Sequence, residues 1–142
     1  MVKKDNIRDY AVEAFRKYAL LGKPTIDELK GRIMRSATSE AQALCSVNRC
    51  IPLIADIGAV NDTLAKLEED NKQHIIKAIE AVYFVCPKSP TKKKEIYDRA
   101  VSFGVTYGAS ERTVFYWLKE ARSMFSDFRG LDNGEKNLKS LQ

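Results

Sequence analysis

The sequence is poor in groups that do chemistry. It holds one histidine, His74, and three cysteines, Cys45, Cys50 and Cys86, none at a spacing that grips a metal ion. His74 stands in a helical stretch beside Lys72, Gln73 and Lys77, so it reads as a surface side chain rather than a general base. The cysteines read as ordinary buried thiols, the usual state of a free cysteine. Gly104 and Gly108 fit neither the P-loop nor the dinucleotide-binding pattern. Acidic groups such as Asp27-Glu28 and Glu68-Glu69-Asp70 fall at helix ends, where carboxylates are ordinary. These absences argue against catalysis and against a resident metal or cofactor. The chain is expected to be a non-enzyme.

Long hydrophobic runs are also missing. The stretch Cys50–Ile57 is interrupted by Pro52 and Asp56, and nothing approaches the roughly 20 apolar residues that a membrane span needs. Met1-Val2-Lys3-Lys4 begins with basic character, but Asp5, Asn6, Arg8 and Asp9 follow where a signal peptide would turn apolar. The expectation is a cytoplasmic chain with no membrane partner.

What is present is a helix-forming, mildly basic chain. It has 142 residues, 44% apolar and 30% charged, which suits one domain or two small helical lobes with a genuine core. The net charge of +5 is uneven: residues 1–87 hold 13 Lys/Arg against 12 Asp/Glu, and residues 88–142 hold 11 against 7. That C-terminal excess is compatible with a phosphate backbone as partner, though a solvated surface accounts for it as well.

Apolar residues recur at three- and four-residue steps almost throughout. Ile7, Tyr10, Ala11, Ala14, Phe15, Tyr18 and Leu21 draw one stripe, and Gly22-Lys23-Pro24 ends it. Thr25 with Glu28 has the capping-box arrangement for a helix carrying Ile26, Leu29, Ile33 and Met34. Ser39–Cys50 reads as helix, with a break near Ile51 because Pro52 belongs in a first helical turn. Ile54, Ile57, Val60, Leu64 and Leu67 share the next face, and Ile75, Ile76, Ile79, Val82 and Tyr83 the one after. Cys86-Pro87-Lys88-Ser89-Pro90 breaks the chain again, since two prolines in four residues exclude a continuing helix. The expected architecture is all-α: an N-terminal helical region over 1–86, a helix-turn-helix over 87–131 and a flexible tail over 132–142.

The C-terminal pair carries the functional expectation. Its first helix runs from about Thr91 to Phe103 and its second from about Ser110 to Phe128, which leaves a long Gly104–Ala109 connection. The first helix ends late or the turn is extended, because three or four residues are usual there. At about 100° per residue, Val114, Trp117, Leu118, Ala121 and Phe125 form a core stripe on the second helix. The opposite side carries Arg112, Tyr116, Lys119 and Ser123, with Phe115 and Arg122 on one flank, and Arg122 counts with Arg112, Tyr116 and Lys119 as an expected DNA contact. A recognition helix needs such a face: arginine can grip guanine, lysine and tyrosine can hold phosphates, and the capped N-terminus favours an anion. On the preceding helix, Lys92, Lys93, Lys94 and Arg99 are placed to meet the backbone of double-stranded DNA. An amphipathic helix with a solvated basic face is the plainer explanation of the same pattern.

Ser110-Glu111-Arg112-Thr113-Val114 followed by Tyr116-Trp117-Leu118-Lys119-Glu120-Ala121-Arg122 resembles the last helix of sigma-factor region 4. More broadly, the chain resembles phage-encoded ArpU/RinA-type transcriptional regulators, which place a sigma-70 region 4-like helix-turn-helix after an N-terminal helical region. Asp9-Tyr10 through Leu21, Ile75-Ile76 through Val82-Tyr83, and Arg129-Gly130-Leu131 echo that order. The resemblance implies promoter-region DNA binding and control of late genes, with Ser110, Arg112, Thr113, Tyr116 and Lys119 at the DNA. The two-proline loop Cys86–Thr91 and the long turn depart from a standard region 4. The competing reading is a helical interaction module, such as a terminase-type DNA-packaging adaptor or an RNA polymerase-binding factor. Phe15, Tyr18, Leu20 and Leu21 would serve a homodimer, or would pack on the middle helices.

Overall fold

The computed structural model describes residues 6–89 and 92–131. The tail expected at 132–142 lies outside the described residues, as do Pro90 and Thr91 of the two-proline loop. The described residues form seven helices and no strand: α1 (Asn6–Leu20), α2 (Ile26–Arg35), α3 (Glu40–Arg49), α4 (Ile51–Glu69), α5 (Gln73–Val82), α6 (Lys93–Tyr107) and α7 (Glu111–Arg129). The chain is all-α, as the helical period predicts.

Local chemistry sets most boundaries. The Thr25 hydroxyl accepts from the Glu28 amide at 3.2 Å and caps α2. Ser39 does the same for α3 through Gln42, at 3.1 Å. Pro52 falls in the first turn of α4, where its missing N–H costs nothing, and the chain bends by 63° between α3 and α4. Asn71, at a φ of +59°, turns the chain between α4 and α5.

α7 is the spine of the fold. It packs on α1, α4, α5 and α6. Its Val114, Leu118, Ala121 and Phe125 are buried, and so are Phe15 of α1, Ile57, Val60 and Leu67 of α4, and Ile75, Ile79 and Val82 of α5, with Tyr83 just after α5. The Phe15 ring stacks on Tyr83 at 5.7 Å between centroids and meets Phe125 at 5.7 Å. The boundary expected at residue 86 does fall in a loop, but buried side chains from both sides of it belong to one cluster. Of the expected apolar face of α1, Phe15 and Tyr18 pack inward with Ala11 and Ala14, Leu21 packs partly against the core, and Leu20 is 42% exposed.

Two sequence expectations change, and one open choice is resolved. The cysteines are not buried thiols: Cys45 and Cys86 are exposed and Cys50 is half-buried. α3 buries none of its residues, and Cys86 sits in a turn at a φ of +49°. His74 is half-buried rather than at the surface, edge-on to Trp117 at 4.7 Å. Of the two alternatives for the turn, the late helix end is the one observed: α6 continues to Tyr107, and the connection to α7 is short. The β-prone residues of Val101–Tyr107 are helical because packing overrides propensity: Phe103 stacks on Tyr107 at 5.2 Å and meets Trp117 at 6.5 Å.

Candidate nucleic-acid interface

α6 and α7 are joined by Gly108, Ala109 and Ser110 alone. Gly108 ends α6 in the left-handed region, at a φ of +92°, which a side chain would resist. Gly104 lets the turn close, since a Cβ there would sit 2.7 Å from the Ala109 carbonyl oxygen and 3.3 Å from Val114. Ser110 starts α7: its hydroxyl accepts from the Thr113 amide at 3.2 Å and lies 2.9 Å from the Thr113 hydroxyl. The first turns of the two helices are tied together. Tyr97 donates to a Glu111 carboxylate oxygen at 3.0 Å and stacks on Phe115 at 5.6 Å. That bond to the carboxylate raises the Tyr97 pKa.

The outward stripe of α7 is exposed. Arg112, Tyr116 and Lys119 face solvent, and Thr113 is half-buried beside its cap. Arg112 lies over the Tyr116 ring, 5.7 Å from its centroid, and donates to its hydroxyl at 3.3 Å. This pairing holds a guanidinium at the surface beside the helix N-terminus. Lys92, Lys93 and Lys94 are exposed at the start of α6. Cations oppose the helix dipole at that end, Lys92 makes no side-chain cap, and Glu95 is the acid that the first turn offers against them. Helix stability therefore does not account for this cluster.

Two predicted contacts are turned inward. Arg99 donates to the Val82 carbonyl at 3.3 Å and pairs with Glu95 at 3.6 Å, its side chain 19% exposed. It satisfies an orphan carbonyl at the end of α5. Arg122 donates to the Tyr83 hydroxyl at 2.9 Å and is half-buried. Both side chains brace the two-helix unit against α5 and its C-terminal turn, and neither points with the exposed stripe. The structure thus groups Ser110, Arg112, Thr113, Tyr116 and Lys119 on α7, and Lys92, Lys93 and Lys94 on α6, but separates Arg99 and Arg122 from them.

Glu111 is the residue that the charge pattern missed. Arginines and lysines drew attention to the helix face, yet an acid stands at its first position. Its place directly after the Ser110 cap was the available signal, because an N-terminal carboxylate favours the helix dipole. Glu120 also acts on this unit, accepting from Lys72 at 2.7 Å and tying α7 to the start of α5. The same bond raises the Lys72 pKa.

No group of His, Cys, Asp and Glu among the described residues could hold a metal ion, and no single helix there is long and apolar enough to cross a membrane. Comparison with family models, curated proteins and solved structures finds no match.

Proposed function

We propose that this chain is a sequence-specific DNA-binding regulator of transcription, of the kind its resemblance to phage late-gene regulators implies. The N-terminal turns of α7 enter the major groove. Arg112 reads a base edge, and Tyr116 and Lys119 hold phosphates alongside. Lys92, Lys93 and Lys94 meet the backbone where α6 crosses it. The observation that carries this reading is the lysine cluster at the start of α6: it opposes its own helix dipole and stands beside a capped, outward-facing basic stripe. A homodimer would present two such helices to a palindromic site.

The test is selection of bound sequences from a random DNA pool, followed by retardation at rising salt. A defined sequence should emerge, and Arg112→Ala with Lys119→Ala should abolish its selective binding at unchanged stability. Binding without sequence preference, or binding untouched by that double substitution, contradicts the reading.

One observation favours the competing interaction module. α3 buries no residue, and Met34, Leu44 and Ile51 are 53%, 65% and 57% exposed around it. Apolar surface of this kind marks contact sites. Co-purification of polymerase or portal components without DNA retardation would favour that module.

A further inference from the structure

The inner side of the two-helix unit is not fully packed. α1 packs on α4 and α7, and α6 packs on α5 and α7, but the backbones of α1 and α6 do not come together. Between them lies a cavity of about 540 Å³, lined in part by Phe115, Leu118 and Arg122 of α7. Small-molecule sites commonly span roughly 300–1,000 Å³, with mostly apolar walls and a few converging polar groups. This cavity has that make-up. Val12 of α1 and Ile96 of α6 supply aliphatic wall. Tyr97 and Phe115, stacked with 27° between their planes, supply a flat aromatic wall.

Cationic groups line the cavity as well. Arg122 is half-buried and donates to the neutral Tyr83 hydroxyl at 2.9 Å. Among the described residues no carboxylate lies within ion-pair distance of Arg122, nor of Lys93, which also lines the cavity. Two acids also line the cavity: Asp9 lies 3.7 Å from Arg8, and Glu13 is exposed. Tyr83 itself is 1% exposed. A half-buried guanidinium held by a neutral hydroxyl has no ion-pair partner among the described residues, and an anion in the cavity would supply one through charge-assisted hydrogen bonds.

We propose that the cavity between α1, α6 and α7 binds a small organic anion, its flat or branched apolar body against Tyr97, Phe115, Ile96 and Val12 and its anionic group at Arg122. The site is distinct from the exposed stripe: Phe115, Leu118 and Arg122 occupy a different face of α7 from Arg112, Tyr116 and Lys119. It shares Lys93 with the lysine cluster of α6, but its binding test does not depend on whether the chain binds DNA. An occupant would touch α1 and α6 together and so link two helices whose backbones do not come together.

Calorimetric titration of the full chain with naphthoate, anilinonaphthalene sulfonate and the neutral naphthalene methanol tests this. Each acid should saturate at one per chain, and the alcohol should bind about tenfold more weakly or worse, the usual worth of a charge-assisted bond. Arg122→Gln should weaken the acids by about the same factor and leave the alcohol unchanged. Lys93→Gln, at an exposed position, gives a second reading of the charge term without disturbing the core. Val12→Trp, which fills the cavity, should abolish binding of all three while far-ultraviolet circular dichroism stays native. Absence of saturable binding by both acids, equal binding of acid and alcohol, or full affinity in a folded Val12→Trp overturns the proposal. So does a chain that sediments as a dimer and becomes a monomer on Val12→Trp, because a second copy would then be the occupant.

Discussion

α3 and α7 begin alike and end in different situations. Each starts at a serine whose hydroxyl accepts from the amide three residues on, Ser39 from Gln42 and Ser110 from Thr113. Each carries apolar residues at helical period. Yet α7 buries Val114, Leu118, Ala121, Phe125 and Ser126, and α3 buries nothing. The difference is in neighbours: α7 is packed on by α1, α4, α5 and α6, whereas α3 leans on α2 and α4. A cap and a periodic stripe are enough to start a helix. They do not settle whether its stripe becomes core, a docking face or solvated surface.

That contrast can be broken most sharply by truncation. Phe125→Ala should cost about 3–5 kcal/mol, because a fully buried ring against Phe15 is lost and α1, α4 and α7 close only partly over the gap. Leu44→Ala on α3, at a residue 65% exposed, should change stability by no more than about 0.5 kcal/mol. Denaturant unfolding of both variants checks this. Comparable losses would mean that α3 is covered in solution and that the contrast fails.

A smaller effect sharpens it at the turn. Gly104→Ala should destabilise by about 1–3 kcal/mol, since the added methyl meets a backbone carbonyl that cannot swing away as a side chain would. Val105→Ala, one residue on and 80% exposed, is the control and should be near neutral.

The smallest effect is expected at alkaline pH. Tyr10, Tyr18 and Tyr83 have raised pKa values, in each case chiefly because burial disfavours the phenolate. At Tyr10 the hydrogen bond donated to Asp56, at 2.6 Å, adds to this. A group raised in the folded state contributes stability that is whole below its unfolded value and is lost as pH rises through the folded one. The melting temperature should therefore fall above about pH 10, the ordinary tyrosine value, and Tyr10→Phe should flatten the fall. The tyrosines concerned anchor α1 and the end of α5, and none is on α3, so the α3 signal should not lead the loss. Hydrogen exchange across the titration reads the order.

Much of this was legible along the chain. The seven helices, the Thr25 and Ser110 caps and the break ahead of Pro52 all rest on interactions within a few residues, which is where sequence pattern has its information. The core stripe of α7 was legible for the same reason, as were the exposed positions Arg112, Tyr116 and Lys119 opposite it. Arg99 and Arg122 were not. Their side chains are long enough to reach Val82 and Tyr83, partners 17 and 39 residues away, and nothing in helical period encodes that reach. The cysteines failed for a related reason. Their apolar surroundings in sequence belong to a helix without a roof and to a turn.

The sequence by itself determined the helices, their ends and the amphipathic stripe on each, because hydrogen bonds, caps and side-chain period are local. Tertiary structure alone decided which stripes are covered and which cations of the C-terminal unit are committed inward. It also left α1 and α6 apart over α7. Those outcomes depend on where distant helices lie in space, and burial, ion pairing and cavities follow from that placement rather than from the order of residues.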